Sequence, residues 1–363
     1  MKKEHTSSTC TTVCTAVRNI LLSLSCTILC TSLLSCTVHK KHNVHEGSVQ
    51  QQAAQPDLLI YSPHPVDKVE FIVREFRQRT GMYVQIVHGG TGELLSKLRQ
   101  EELSMKEGSP VPTADVFWGG GVESLESAKE LFQPYISSEV KNIESTYVDN
   151  ENLWTGFSVM TMVIVYNEDL VPAKKIPLHW SDLKDPFFTN RLIIPDPEKS
   201  GSAYTMLNAI LLTSDGSNWD LLRAIKHQTF PAGIASSSTS VHASVACGEF
   251  FAGLTSEDAA LSFVNAGATL SIVYPADGTV AVPDGVALVK GARHEAQAQQ
   301  FIDFVLSKTV QGLIAHNWYR RSVRTDIPLP EGARPLTEPD LLQYNIYEAA
   351  RQKDKLLQLW RAL

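Results

Sequence analysis

The chain has 363 residues, with 32 Lys and Arg against 39 Asp and Glu, for a formal net charge of −7. An acidic balance of this kind argues against nucleic acid as a partner. The stretch beyond residue 56 is longer than one hydrophobic core usually serves, which favours two domains or lobes.

The first 36 residues read as an export signal. Lys2 and Lys3 precede an apolar stretch over residues 20–34, and Cys36 follows Leu33, Leu34 and Ser35 directly. At about 15 residues that stretch is short of the roughly 20 a spanning helix needs, and it ends at a processing site. A small residue before a cysteine marks a bacterial lipoprotein signal, so residues 1–35 are expected to be removed and Cys36 to carry lipid. Cys26 and Cys30 are rival sites, but cutting there would leave apolar residues on the mature chain. The removed segment carries Lys2, Lys3 and Arg18 against Glu4, a net +2, so the −7 of the whole chain becomes −9. Of the six cysteines only Cys36 and Cys247 would then remain, which rules out a disulfide framework. Cys247 is expected as a small core residue on an apolar helical face. Residues 36–56 are polar and aperiodic, a flexible tether, with His39, His42 and His45 solvated within it.

From residue 57 on, short β-type runs alternate with helical stripes. Residues 57–61 predict a strand and 66–79 a helix with Val66, Val69, Ile72, Val73 and Phe76 on one side. Gly81 stops that helix. A strand over 83–87, a helix over 93–102, a strand over 115–118 and a helix over 122–131 follow. This order implies a mainly parallel sheet covered by helices. The run 157–166 is long and β-rich, suited to crossing between lobes. Strands are then expected at 191–194, 269–274 and 285–290. Helices are expected at 202–212, 219–226, 240–247, 295–307, 310–316 and 341–360. No internal repeat is present.

Several motifs in this order resemble the type-2 periplasmic solute-binding proteins of ABC importers. The likeness is to the branch holding ferric-ion-, phosphonate- and hexose-phosphate-binding proteins. It is carried by IYSPH, TGMYVQIVHGGTGEL, ADVFWGGG, SGSAYT, YPADGTVAVPDGVALVKGA and FIDFVLS, and spans residues 57–325. The resemblance implies an α/β fold of two lobes with a ligand cleft between them and a two-strand hinge. Lobe one would comprise 57–160 plus 280–363, and lobe two 161–279. It also implies a monomer in the periplasm, an ABC permease and ATPase as partners, and no cofactor.

Ligands in open parallel sheets sit where strands end and helices begin. Ser200, Gly201 and Ser202 open a helix, and their hydroxyls and orphan N–H groups make an anion cradle; an ordinary N-cap uses the same residues. Thr91 and Gly92, behind Gly89 and Gly90, form the analogous loop of lobe one. Thr239 and Ser240 match a position that helps hold the anion in ferric-binding relatives. Gly119 and Gly120 follow Trp118, which either stacks on a sugar face or packs. In the ferric branch a histidine, a glutamate and two adjacent tyrosines hold iron. Here His64 lies near the histidine position, one residue out of step. Glycines 119–121 stand at the glutamate, and Glu257 and Asp258 stand at the tyrosines. The carboxylate pair suits sugar hydroxyls, a hard cation or a solvated helix start. Tyr274 and Asp277 are further candidates near the hinge.

GxSxG, HExxH and GxxxxGK[ST] do not occur, so no enzyme is expected. The reading is a lipid-anchored binding protein that closes over a small phosphorylated organic anion, a sugar phosphate or a phosphonate. Its rivals are ferric-ion binding with a synergistic anion, binding of a cationic ligand such as a polyamine, and a structural surface lipoprotein that has kept the fold.

Overall fold

The computed structural model describes residues 56–106, 114–214, 217–229, 232–337 and 340–363. The signal, Cys36 and all but the last residue of the tether lie outside them. The described residues belong to one unit, Pro56–Leu363. Among the described residues no helix is long and apolar enough to cross a membrane.

Strands β1 (Leu58–Ser62), β2 (Val84–His88) and β3 (Val116–Gly121) alternate with helices α1 (Val66–Thr80), α2 (Thr91–Lys106) and α3 (Val122–Glu126). In α1 the buried Val69, Ile72, Val73 and Phe76 fall on one side at helical spacing. Each such side chain contributes about 1.5–3 kcal/mol when fully buried. The helix ends where the Gly81 N–H donates to Arg77 O at 2.8 Å. The helix expected over 122–131 breaks at Glu126 and resumes as a 3-10 turn, Lys129–Leu131, before the short strand β4 (Phe132–Gln133).

β5 (Thr155–Tyr166) is the long expected run, buried over all but its last residue. Next come β6 (Leu192–Pro195), α4 (Gly201–Leu212), α5 (Trp219–Gln228), β7 (Ile234–Ala235) and α6 (Val241–Ala246). They are followed by β8 (Ala252–Ser256), α7 (Glu257–Asn265), β9 (Ser271–Val273) and β10 (Ala281–Val289). Helices α8 (Glu295–Leu306) and α9 (Lys308–Asn317), β11 (Arg321–Ser322) and α10 (Ile346–Ala362) finish the chain.

The strand order is β2-β1-β3-β10-β5-β8-β6-β7. β5 pairs with β10 along residues 155–161 and with β8 along 162–166. One strand thus serves two half-sheets, and the segment from β9 to β10 makes the return crossing. The sheet is mixed rather than mainly parallel. β1–β2, β1–β3, β6–β8 and β6–β7 are parallel, while β10 runs antiparallel to β3 and β5, and β5 to β8. The antiparallel pairs are those made by the two crossing strands. β8, sequence AGLTS, has no β-type pattern because packing selects small residues there. A Cβ on Gly253 would lie 2.7 Å from Val241 Cγ1 and 3.0 Å from Ile193 Cγ2.

Helix α10 is fastened on two sides. Lys353 Nζ donates to Ser124 Oγ at 2.8 Å on the β1–β3 side. On the β6–β8 side Tyr204 Oη donates to Ala349 O at 2.5 Å, and Lys226 Nζ to Trp360 O at 2.8 Å. Cys247 is exposed at the end of α6. Only part of that short helix faces the core, chiefly Val241 and Val245, so the expectation of a core cysteine is corrected.

Candidate functional site

The carboxyl ends of β1, β2, β6, β7 and β8 converge on a cavity of about 510 Å³ between the two half-sheets, the position open sheets give to ligands. It is lined by His64 before α1, Thr91 at the start of α2, and Ser200, Gly201 and Ser202 at the start of α4. Gly120, Thr239 and Asp258 also line it.

The α4 end is a hydroxyl cradle. Ser200 Oγ accepts from the Ala203 N–H at 3.4 Å and lies 2.9 Å from Ser202 Oγ. It therefore caps the helix and faces the cavity at once. Ser237 Oγ lies 2.8 Å from Thr239 Oγ1 in a second hydroxyl group. The Ser240 hydroxyl instead donates to Ser237 O at 2.9 Å. Opposite, the two lobes nearly touch. A Cβ on Gly90 would lie 3.1 Å from Lys199 O, and one on Gly201 would lie 3.2 Å from Thr91 Oγ1.

The other wall is ionic, and its cations carry no motif in the sequence. Arg320, just before β11, donates from Nε to Asp258 Oδ2 at 2.9 Å, and from Nη1 to Ser158 Oγ at 3.2 Å and to Asp284 of β10. Lys68 Nζ of α1 lies 3.5 Å from the same Asp258 oxygen. Burial by itself would push the Asp258 carboxyl up, but the Arg320 and Lys68 charges and the Ser256 and Arg320 hydrogen bonds hold it well below the usual range. Lys68 loses basicity to burial and to Arg320, and Asp258 restores part of it.

Two histidines are held neutral. His64 is buried against Trp118, Phe157 and Trp318 at ring distances of 5.4, 5.4 and 5.7 Å. Burial, then the Arg320 and Lys68 charges, push its pKa well down. Its Nε2 has no hydrogen-bond partner among the described residues. His242 of α6 packs on Phe263 at 4.6 Å, and burial lowers its pKa to about 4.

The remaining sequence candidates lie elsewhere. Glu257 does not line the cavity. It takes two hydrogen bonds from Arg321, at 2.6 and 2.7 Å, and one from the Tyr274 hydroxyl. Glu257 is thus engaged with Arg321 away from the cavity, and Tyr274 is committed with it. Adjacent helix-start residues point about 100° apart, so the pair cannot share one face. Trp118 is fully buried in the core, not stacked on a cavity wall. Gly119 is turned inward, where a Cβ would meet His64 Nε2 at 2.7 Å. Gly92 lines a neighbouring groove under α10. Asp277 accepts the Trp180 N–H at 3.1 Å beside the crossing segment. Among the described residues no group of three or more His, Cys, Asp or Glu is placed to hold a metal ion.

Two half-sheets joined by crossing strands, with a polar cavity at their strand ends, define a protein built to enclose a small solute. The chain belongs to the bacterial extracellular solute-binding protein family, whose model matches residues 112–340. It is 27% identical over 294 residues to iron uptake protein A1 of Synechocystis sp., covering 76% of this chain and 78% of that protein. It is 23% identical over 257 residues to a putative 2-aminoethylphosphonate-binding periplasmic protein of Salmonella typhimurium, covering 69% and 73%. Its fold matches the periplasmic binding protein AfuA of Actinobacillus pleuropneumoniae with fructose-6-phosphate bound. There the TM-score is 0.75 at 24% identity, over 84% of this chain and 97% of that one.

Proposed function

We propose that this protein is the periplasmic substrate-binding component of an ABC importer, tethered by lipid on Cys36, and that it captures a small phosphorylated organic anion. The observation that carries the reading is the facing of the Ser200–Ser202 and Ser237–Thr239 hydroxyls by Lys68 and Arg320 across one cavity. Hydroxyls and helix-start N–H groups suit phosphoryl oxygens, and cations from the other lobe complete a site that only closure assembles. A volume of about 510 Å³ lies within the range of sites for whole small molecules. It leaves room for an organic body as well as a phosphoryl group. Relatives named for phosphonate binding and a fold neighbour holding fructose-6-phosphate support this class.

Ferric binding has less support from the same residues. The carboxylates at the positions matched to the iron tyrosines are taken, Asp258 by Lys68 and Arg320 and Glu257 by Arg321.

A thermal-shift panel on protein starting after Cys36 tests the reading. It compares hexose phosphates, free hexoses, 2-aminoethylphosphonate, inorganic phosphate, spermidine and ferric citrate. A ligand at 100 times its dissociation constant adds about 2.7 kcal/mol. A shift with hexose phosphate or phosphonate, absent with free hexose, is expected. Replacing Ser200 and Ser202 by Ala is expected to weaken that ligand by about 1–3 kcal/mol. A shift with ferric citrate alone overturns the reading. The tether is checked by fractionation: the C36S variant should leave the membrane fraction.

A further inference from the structure

The pairing of Asp258 bears on selectivity. Lys68 and Arg320 stand on the lobe-one wall, and the carboxylate they share comes from lobe two, at the start of α7. Arg320 also has Asp284 on its own side, whereas the ion pair shown for Lys68 is with Asp258. The group that meets these cations across the cavity is therefore an acceptor carrying one negative charge. An anionic ligand offers the same chemistry to the same two side chains.

Resting on the reading above, we propose that Asp258 is a specificity-determining residue that acts as an internal rival of the ligand. It selects dianionic phosphoryl groups over monoanionic carboxylates. A carboxylate ligand exchanges one monoanion for another at Lys68 and Arg320, with no electrostatic gain, and leaves Asp258 without its cations. A phosphoryl dianion brings more charge and more acceptor oxygens. It draws the cations away from Asp258 while the Ser200 and Ser202 hydroxyls hold its remaining oxygens. The carboxylate thus sets a threshold that organic acids of the same skeleton do not cross. This role differs from that of a residue contacting sugar hydroxyls, and it gives the opposite sign on substitution. Removal of Asp258 strengthens anion binding.

The experiment is isothermal titration of wild-type and D258N protein with glucose 6-phosphate, inorganic phosphate and glucuronate at one pH and ionic strength. D258N is expected to bind glucose 6-phosphate about tenfold tighter, the scale of one charge-assisted contact. It is also expected to gain measurable glucuronate binding, so that the preference for phosphate narrows. If D258N fails to fold, D258S keeps a short polar group at the helix start and carries the same test. Wild-type binding of phosphate with weaker or equal binding in the Asp258 variant, or an unchanged preference over glucuronate, overturns the inference alone. Wild-type protein that binds neither phosphate probe, and does not bind 2-aminoethylphosphonate in the thermal-shift panel, overturns the proposed function and this inference with it.

Discussion

The two walls of the cavity are built on different principles. The lobe-two wall around α4 is made of short hydroxyl side chains that double as helix caps, fixed by local hydrogen bonds two or three residues long in sequence. The lobe-one wall is an ion network whose members come from α1, β10 and the segment before β11, with Asp258 reaching in from lobe two. A wall of caps tolerates loss of one member, because water or a neighbouring hydroxyl replaces it. A buried ion network does so less readily, because each charge is compensated chiefly by the others.

That contrast can be broken first at Arg320. Arg320→Met leaves Asp284 buried without the cation it pairs with and Asp258 with Lys68. It is expected to cost about 3–5 kcal/mol of stability, read by urea unfolding, besides abolishing anion binding. A loss under about 1 kcal/mol would mean that water relieves those carboxylates and that the wall is not a closed network.

The next effect is smaller and depends on pH. His242 has a folded pKa of about 4 against an ordinary 6.5, so the unfolded chain takes up a proton where the folded one resists. Its contribution is whole above about pH 6.5 and falls as pH drops toward 4, a loss of about 2 kcal/mol by pH 4.5. His64, also held low, adds in the same direction. Melting curves from pH 7 to 4.5 should fall accordingly, and His242→Gln should flatten the slope. An unchanged slope in that variant would assign the effect elsewhere.

The smallest effect sharpens the comparison at the seam. Gly201→Ala puts a Cβ 3.2 Å from Thr91 Oγ1 of the opposite lobe. It is expected to weaken ligand binding by about 1 kcal/mol through overpacking while leaving the melting temperature of the protein alone unchanged. Unaltered affinity would show that the seam is not closed when ligand binds.

The same contrast explains what was legible in the sequence. The caps were, because a Ser-Gly-Ser helix start is a local pattern, and so were the strand–helix alternation and the crossing run now seen as β5. The ion network was not. Lys68 and Arg320 are 252 positions apart, and neither belongs to a motif that marks it as a cavity residue; only the fold brings them to one oxygen. Glu257 and Asp258 read as one pair, yet the helix start turns one toward Arg321 and the other toward Arg320. β8 was hidden because packing against Val241 and Ile193 demands a glycine where a strand ordinarily shows a branched side chain. For Trp118 stacking and packing both stay open in the sequence, because sequence does not distinguish a tryptophan inside the core from one at its edge.

Helix α10 closes the chain and grips both half-sheets, at Ser124 on one and at Tyr204 and Lys226 on the other. Every strand of both half-sheets precedes Ile346 in sequence. Synthesis runs from the N-terminus and structure forms as segments emerge. Among the described elements, the tie that α10 adds to the crossing strands therefore follows every strand it fastens, fitted across two bodies whose strands have already been made.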